Sequence, residues 1–324
     1  MTRPWLSVIM PTYNGERYLR ETFESLLAQE ERGFECVVID GGSTDGTLAI
    51  IDEYARLLDV RLFIRPEFPN WIGKTNFGFE QAAAEHVCML HHDDRWNAGR
   101  AAAVRTTLAR HPDAALVLHP STFIDDEGRA LGQWSCPLAP EPRVHQPDEL
   151  LERLMVQNFI SVPSPTFRRD TAVRVGGIDT TLWYTGDWDF YLKLAATGPS
   201  VYLDRALSGF RLHSASLTVT GSSNAEDFRR QHAIVLARHI ERIRDDATRA
   251  RVLRAARASN RMNAALASAL HGSWMEVPSA LLAVAALGPD GWNRYTTNSR
   301  IVERVGARLR ARRSLRTTTV EKDA

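Results

Sequence analysis

The stretch VCMLHHDDRW, residues 87–96, runs out of an apolar segment into two adjacent carboxylates, Asp93 and Asp94. Carboxylates about 5 Å apart repel by roughly 3 kcal/mol at an effective dielectric near 20, so the pair asks for a compensating charge. Mg²⁺ and Mn²⁺ supply one, because both prefer oxygen ligands and both favour a site shared by carboxylate and phosphate. The bland alternative is a carboxylate capping the next helix, which would occupy one of the two. Two further polar clusters also follow apolar runs: Pro11-Thr12-Tyr13-Asn14 after LSVIM (6–10), and Asp40-Gly41-Gly42-Ser43-Thr44-Asp45-Gly46 after ECVVID (35–40). Taken singly, the first is a turn and the second a loop with a helix cap. Together the three supply an aromatic ring to stack on a flat base, an acceptor for an imide N–H, glycines that admit a ligand to the backbone, and an acidic pair for a hard cation.

Such clusters meet only if the fold gathers them. The first hundred residues alternate short β-rich runs with helical patterns, the signature of βαβ units. Strands are expected at 6–10, 35–40, VRLFI (60–64) and HVCML (86–90), with Leu19, Phe23, Leu26 and Leu27, then Leu48, Ile51, Tyr54 and Leu58, at helical spacing between them. Helices are expected over about 74–84 and 98–110, the latter capped by Asn97. In an open parallel sheet ligands sit beyond the carboxyl ends of the strands, where all three clusters fall. The sheet continues through AALVLH (114–119) and a turn with a returning strand at 125–132. PDELLERLMVQ (helix), SPTFRR (strand), DTAVRVGG, DWDFYLKLAATG (helix) and the strand-like run 200–213 follow. Beyond 221–224 the chain is almost wholly helical to about 316, with RTTTVEKDA expected to be a disordered tail.

The segments SVIMPTYNGERYLRETFESLLAQ, CVVIDGGSTDGT, HHDD and GDWDFYLKLA, in that order over roughly 6–213, resemble the successive motifs of family 2 glycosyltransferases with the GT-A fold. The resemblance implies an α/β fold: a Rossmann-like mixed sheet flanked by helices, the nucleotide-diphospho-sugar transferase architecture, as a catalytic domain over 1–220 with a C-terminal helical extension over 221–324. It implies transfer of a sugar from a nucleoside-diphosphate donor to an acceptor hydroxyl with inversion, with Mn²⁺ or Mg²⁺ as cofactor. Carried over by position, Pro11, Thr12 and Tyr13 line the base with Glu16 nearby, Asp40 accepts from a pyrimidine N3–H and Asp45 orders the same loop. Asn76 and Gly78 match an NxG beside the donor, Asp93 approaches the ribose and sugar, and Asp94 binds the metal. Asp40 favours a UDP-sugar first and a dTDP-sugar second. Two departures stand out: His91 replaces a frequent Asp, and Gly186-Asp187 replaces a frequent Glu-Asp pair.

The resemblance makes Asp187 the general base, with Asp189 as fallback. Residue chemistry alone leaves Asp187 equally suited to the first turn of a helix. An ordinary Asp titrates near about 3.9, so a base there needs its pKa raised. Trp188 and Tyr184 are either an apolar wall or core. FRLHSASLT (210–218) resembles the segment that closes over the diphosphate, where Arg211 and His213 would reach phosphate oxygens and His213 also the metal. A nucleotidyltransferase would want a basic glycine-rich loop after the first strand, which PTYNGERY is not. A metal-dependent phosphohydrolase could use HHDD for two metals but lacks an evident remaining ligand set. GKT at 73–75 is not a P-loop, since Phe68 stands where its first glycine belongs.

The 324 residues carry 40 basic against 39 acidic groups, so no global field argues for a nucleic-acid partner. Cys36, Cys88 and Cys136 are too few and scattered for a disulfide framework or a metal site, which points to free thiols in a reducing cytoplasm. The apolar stretch of about five residues before Pro11 is too short for a secretory core. VPSALLAVAALGP falls short of the ~20 residues a spanning helix needs, and packing core is expected there. RIVERVGARLRARRSLR (300–316), with seven arginines and one glutamate, groups Ile301, Val302, Val305 and Leu309 on one face. Such a helix suits an anionic membrane, and with it a lipid-linked acceptor, or a seat on the catalytic domain. The family resemblance implies a saccharide or lipid-linked acceptor in cell-surface polysaccharide or glycolipid assembly.

Overall fold

The computed structural model describes residues 3–213, 225–270 and 272–322. Strands β1 (Leu6–Thr12) and β2 (Phe34–Asp40) are buried at every position, as strands covered on both faces must be. Their apolar runs need helices above and below, and α1 (Glu16–Leu27), α2 (Thr47–Tyr54) and α3 (Trp71–Gln81) provide them. With β3 (Val60–Ile64), β4 (His86–Met89), β6 (Leu116–Leu118), β9 (Val144–His145), β10 (Thr166–Arg168) and β11 (Ser200–Tyr202), the described residues form an eight-stranded sheet in the order β3-β2-β1-β4-β10-β6-β11-β9. β1 runs parallel to β2 and β4, so the loops after β1, β2 and β4 open on one edge. β10 lies antiparallel between β4 and β6, which brings the chain entering it, including Asn158, to that same edge. The edge strand β3 is half exposed.

A second sheet, β5-β12-β7-β8, comprises β5 (Arg95–Trp96), β12 (Ser208–Arg211), β7 (Ser121–Ile124) and β8 (Ala130–Trp134). The sequence pattern does not show it, because 200–213 reads as one continuous strand. The chain instead turns at Asp204–Ala206 and leaves β11 in the large sheet for β12 in the small one. Helix α4 (Arg100–Arg110) is led not by an Asn97 cap but by Gly99, whose φ of 76° is the left-handed conformation glycine adopts freely. Asn97 donates instead to the Ala206 carbonyl, tying the two sheet-crossing segments together.

Helices α5 (Pro147–Val156), α6 (Arg169–Arg174) and α7 (Gly186–Ala195) cover the large sheet. After them come α8 (Ala225–His239), α9 (Asp246–Leu270), α10 (Val277–Ala285), α11 (Gly288–Ser299) and α12 (Ile301–Lys322). Leu150, Leu154, Phe190 and Leu194 from α5 and α7 share one core with Val235, Val252, Ala255 and Ala265 from α8 and α9. The expected boundary at 220 lies outside the described residues; the parts on either side pack as one body.

Helix α12 does not stop near 316 but runs to Lys322, since no Gly or Pro interrupts its last four turns. It seats Ala307 and Ala311 against Phe123, Leu131 and Leu212 of the second sheet, while Val302 and Leu309 stay exposed. In α10, Ala280 and Val284 are core as expected, but Leu281 and Leu282 face solvent. No helix of the described residues is long and apolar enough to cross a membrane. All three cysteines are free and buried.

Candidate active site

The strand ends open into a cleft of about 960 Å³. At one end the loops after β1 and β2 are laced together. The Glu16 N–H donates to Asp45 Oδ2 (3.2 Å) while the Gly46 N–H donates to Glu16 Oε2 (2.9 Å), and Asn14 and Ser43 add two more bonds across the same gap. Glu16 and Asp45 therefore shape the pocket wall without lining it. Asp45 sits below the ordinary carboxylate range because bonds from Thr47 and Glu16 outweigh its burial. Pro11, Thr12 and Tyr13 do line the cleft, and Tyr13 presents an exposed ring. A Cβ on Gly41 would stand 2.7 Å from Lys74 Nζ and 3.4 Å from the Tyr13 ring, so a side chain there would displace the tip of the lysine.

Two sequence expectations at this end need correction. Asp40 is fully buried and does not line the cleft: it accepts from the Gly42 N–H (2.9 Å), the Ser43 N–H (2.7 Å) and the Ser43 hydroxyl (2.5 Å). Its carboxylate builds the loop rather than reading a base. Asn76 is likewise committed, donating to the Ile178 carbonyl (2.8 Å) and accepting from the Ile178 N–H (2.9 Å), which fastens the loop before α7 onto α3. Gly78 is a packing glycine, with a Cβ there only 2.4 Å from Ile9 Cγ2. The missed residue is Lys74, which lines the cleft, donates to the Thr12 carbonyl (2.9 Å) and lies 5.5 Å from the Tyr13 ring. Burial draws its ammonium pKa down against the opposing pull of Asp40.

The acidic pair sits where the two sheets meet. Asp94 is buried; its Oδ1 accepts the Arg211 N–H (2.9 Å), and its Oδ2 has no partner. Burial, then the charge of Asp93, pushes its carboxyl well above the ordinary range. Asp93 goes the other way: the bond to His213 Nε2 (2.9 Å) and the nearby imidazoles outweigh burial and hold it low. Arg211 is not free to meet a phosphate. Its guanidinium donates to the carbonyls of Asp93 (2.7 Å), Asp125 (2.7 Å) and Asp126 (3.0 Å) and to Glu21, so it braces the acidic loop from below. His213 spends Nε2 on Asp93, which makes it that carboxylate's partner, and it lines the cleft. Residues 214–218 of the expected closing segment lie outside the described residues. His91 packs on Trp71 (5.2 Å), and burial lowers its pKa to about 4, so it is neutral.

The donor set fits a divalent cation in one form. Among the described residues no three ligating side chains converge on a point, whereas Asp94 offers one unpartnered carboxylate oxygen to the cleft. One carboxylate completed by substrate phosphates and water is how Mg²⁺ is commonly held.

Asp187 lies on the far wall, in the first turn of α7. Oδ2 accepts from Asn158 Nδ2 (3.0 Å) and Oδ1 from the Trp188 N–H (2.8 Å), yet burial wins and raises its pKa to about 6. The fallback Asp189 is excluded: it is buried away from the cleft and held low, since His239 and Lys193 outweigh its burial, with Arg238 also bound to it. Trp188 is core that donates to the Leu154 carbonyl while one edge reaches the cleft, and Tyr184 is wall. Beneath them Tyr191 is fully buried with an unpartnered hydroxyl, whose pKa is raised by burial and then by both Asp187 and Asp94. Base candidate and acidic pair thus line the same cleft.

The pattern of glycosyl transferase family 2 matches residues 7–170, half of the chain. The chain belongs to that family. An uncharacterized glycosyltransferase of Rickettsia typhi is 27% identical over 233 residues, 69% of each chain. Among solved structures, S. aureus TarS 1–349 in complex with UDP-GlcNAc superposes with a TM-score of 0.65 at 21% identity, over 92% of this chain and 90% of that one. The mannosyltransferase PcManGT from Pyrobaculum calidifontis, in complex with GDP-Man and Mn²⁺, gives 0.55 at 21% identity over 96% and 88%. The fold is GT-A, and the family membership displaces the nucleotidyltransferase and phosphohydrolase readings. Asn158, the partner of Asp187, had no signal of its own in the sequence. Nor did the wall that the C-terminal helices contribute through Phe228, His232, Asn263, Arg304 and Arg308.

Proposed function

We propose that this glycosyltransferase moves a sugar from a UDP-sugar, with dTDP-sugars second, to an acceptor hydroxyl with inversion at the anomeric carbon. The observation that carries the reading is Asp187: a carboxylate with a pKa near neutrality, facing the same cleft as Asp93 and Asp94. The acceptor O–H gives its proton to Asp187 as its oxygen bonds to the anomeric carbon, and the bond from that carbon to the diphosphate oxygen breaks on the opposite face. Asn158 fixes the carboxylate that receives the proton. Tyr13 stacks on the base, and Lys74 adds positive charge at that end. Asp94, with Asp93 held by His213, would hold Mn²⁺ or Mg²⁺ against the diphosphate, and such an ion supplies charge stabilisation of the leaving group. The uridine preference rests on the likeness to TarS, whose structure holds UDP-GlcNAc, now that Asp40 is spent on its own loop.

The acceptor is a saccharide or a lipid-linked saccharide in surface polysaccharide or glycolipid assembly, and the enzyme works in the cytoplasm. Membrane contact, where it occurs, is made by exposed Trp274, Met275, Leu282 and Trp292 as well as the basic α12. The test is calorimetric titration with UDP, dTDP and GDP, with and without Mn²⁺, on the wild type and Asp94→Ala. Manganese-dependent UDP binding that Asp94→Ala abolishes supports the reading. Absence of binding by any nucleoside diphosphate overturns it.

A further inference from the structure

Helix α12 lays Ala307 and Ala311 on the second sheet, and one residue-row round the helix Arg304 and Arg308 line the cleft. They are four residues apart, so the two guanidiniums stand one above the other on the same face. Among the described residues neither pairs with a carboxylate. Arg304 makes two long contacts, to the Ser299 carbonyl (3.3 Å) and Asn263 Oδ1 (3.3 Å). Burial and the adjacent Arg308 draw its pKa down to about 10. Two like charges held together in a partly desolvated wall are unfavourable unless an anion joins them.

Their place in the cleft tells which anion. Asn263 donates to Gln157 Oε1 (2.5 Å), and the next residue, Asn158, holds Asp187. His232, which lines the same cleft as Arg304, packs on Trp188 (5.5 Å), the residue directly after Asp187. The pair therefore belongs to the wall that carries Asp187, where the acceptor binds in the proposed reaction, and not to the end built by Tyr13 and Lys74. We infer that Arg304 and Arg308 form an acceptor subsite for an oxyanion, a phosphate or carboxylate group carried by the acceptor, so that the enzyme selects an anionic acceptor over a neutral one. The planar guanidinium fork matches either group with paired N–H bonds. The inference rests on the glycosyltransferase reading for the word acceptor, but the anion site stands on its own geometry.

The probes are inorganic phosphate and glucuronate, titrated into protein already saturated with UDP and Mn²⁺. Quenching of the cleft tryptophans Trp71, Trp134, Trp183 and Trp188 is the readout. Saturable binding at millimolar concentration is expected, weakened at least ~5-fold in Arg304→Gln/Arg308→Gln, with the UDP affinity of that variant within about twofold of wild type. Arg308→Gln alone, which breaks no hydrogen bond recorded for the described residues, must reproduce part of the loss; this guards against a folding defect of the double variant. Anion binding that UDP abolishes would assign the site to the donor and overturn the inference. So would binding unchanged in both variants, or no saturable binding. If UDP itself fails to bind the wild type, the donor reading falls separately, and the same comparison on the free protein still decides the anion site.

Discussion

Asp187 should give the enzyme an acid limb near pH 6 in kcat/KM, and Asn158 should control where that limb lies. The carboxyl is raised from 3.8 to about 6. At pH 5 a group of that pKa is about one-eleventh ionised, so kcat/KM should lie roughly tenfold below its plateau above pH 7. Asn158 favours the ionised form by one charge-assisted bond of 3.0 Å. Such bonds contribute about 1.5–3 kcal/mol, or roughly one to two pH units. Asn158→Ala should therefore move the limb upward to between about pH 7 and 8, with the plateau largely recovered at high pH. Asp187→Asn should remove the limb and about 10²–10⁴ of the rate.

Stability separates this from misfolding. A carboxyl whose folded pKa is raised destabilises the fold progressively as pH rises from its unfolded value, near 4, to its folded value, near 6. Asp187→Asn should thus be as stable as wild type at pH 4 and more stable above pH 6, by at most ~3 kcal/mol and less for the solvent that reaches its cleft side. The assay is nucleotide release across pH 4.5–9 at saturating donor, with urea denaturation alongside. A limb that stays put in Asn158→Ala, or substantial turnover by Asp187→Asn, would refute the assignment.

Asp94→Asn should melt at least ~2 °C higher than wild type at pH 7.5 in chelator, because it removes a buried, half-unpartnered carboxylate beside Asp93; differential scanning fluorimetry with UDP and Mn²⁺ added should reverse the order. The sign follows from its raised pKa: wild-type stability is lost as pH rises past the ordinary carboxylate range, a fall the variant lacks. Arg211→Lys should cost about 3–5 kcal/mol in chemical denaturation, since an ammonium cannot serve three carbonyls and Glu21 in the fork geometry. Tyr13→Ala should weaken UDP roughly tenfold in calorimetry, and Tyr13→Phe should leave it near wild type, because the ring and not the hydroxyl stacks.

The parts of this molecule legible in the sequence were those set by hydrophobic period. VRLFI is β3 at the residues expected, and the apolar runs before Pro11, Asp40 and His91 are the strands whose ends meet at the cleft. Asp187 in the first turn of α7 and Asp94 at the cleft also follow from local pattern plus chain order. Asp40, Asn76 and Arg211 show the limit. Spacing puts each at a strand end or helix near the site, but hydrogen-bond capacity is spent by neighbours that only the folded chain supplies: Ser43, Ile178 and the Asp125–Asp126 turn. The second sheet was hidden for a related reason. β5 has two residues and β12 four, too short for alternation to register, and their pairing is between segments more than a hundred positions apart.

Gln157 carries a consequence for how this enzyme can be rebuilt. It belongs to the first half of the chain, yet its side-chain oxygen is satisfied by Ser259 and Asn263 of α9, while Leu150, Leu154 and Met155 beside it are covered by the same helices. A graft that joins residues up to 213 to another relative's helices would leave a buried amide oxygen bare and an apolar stripe wet. The halves are not interchangeable modules. New acceptor preferences should be sought by changing side chains on α8, α9 and α12 in place, keeping the residues that grip Gln157.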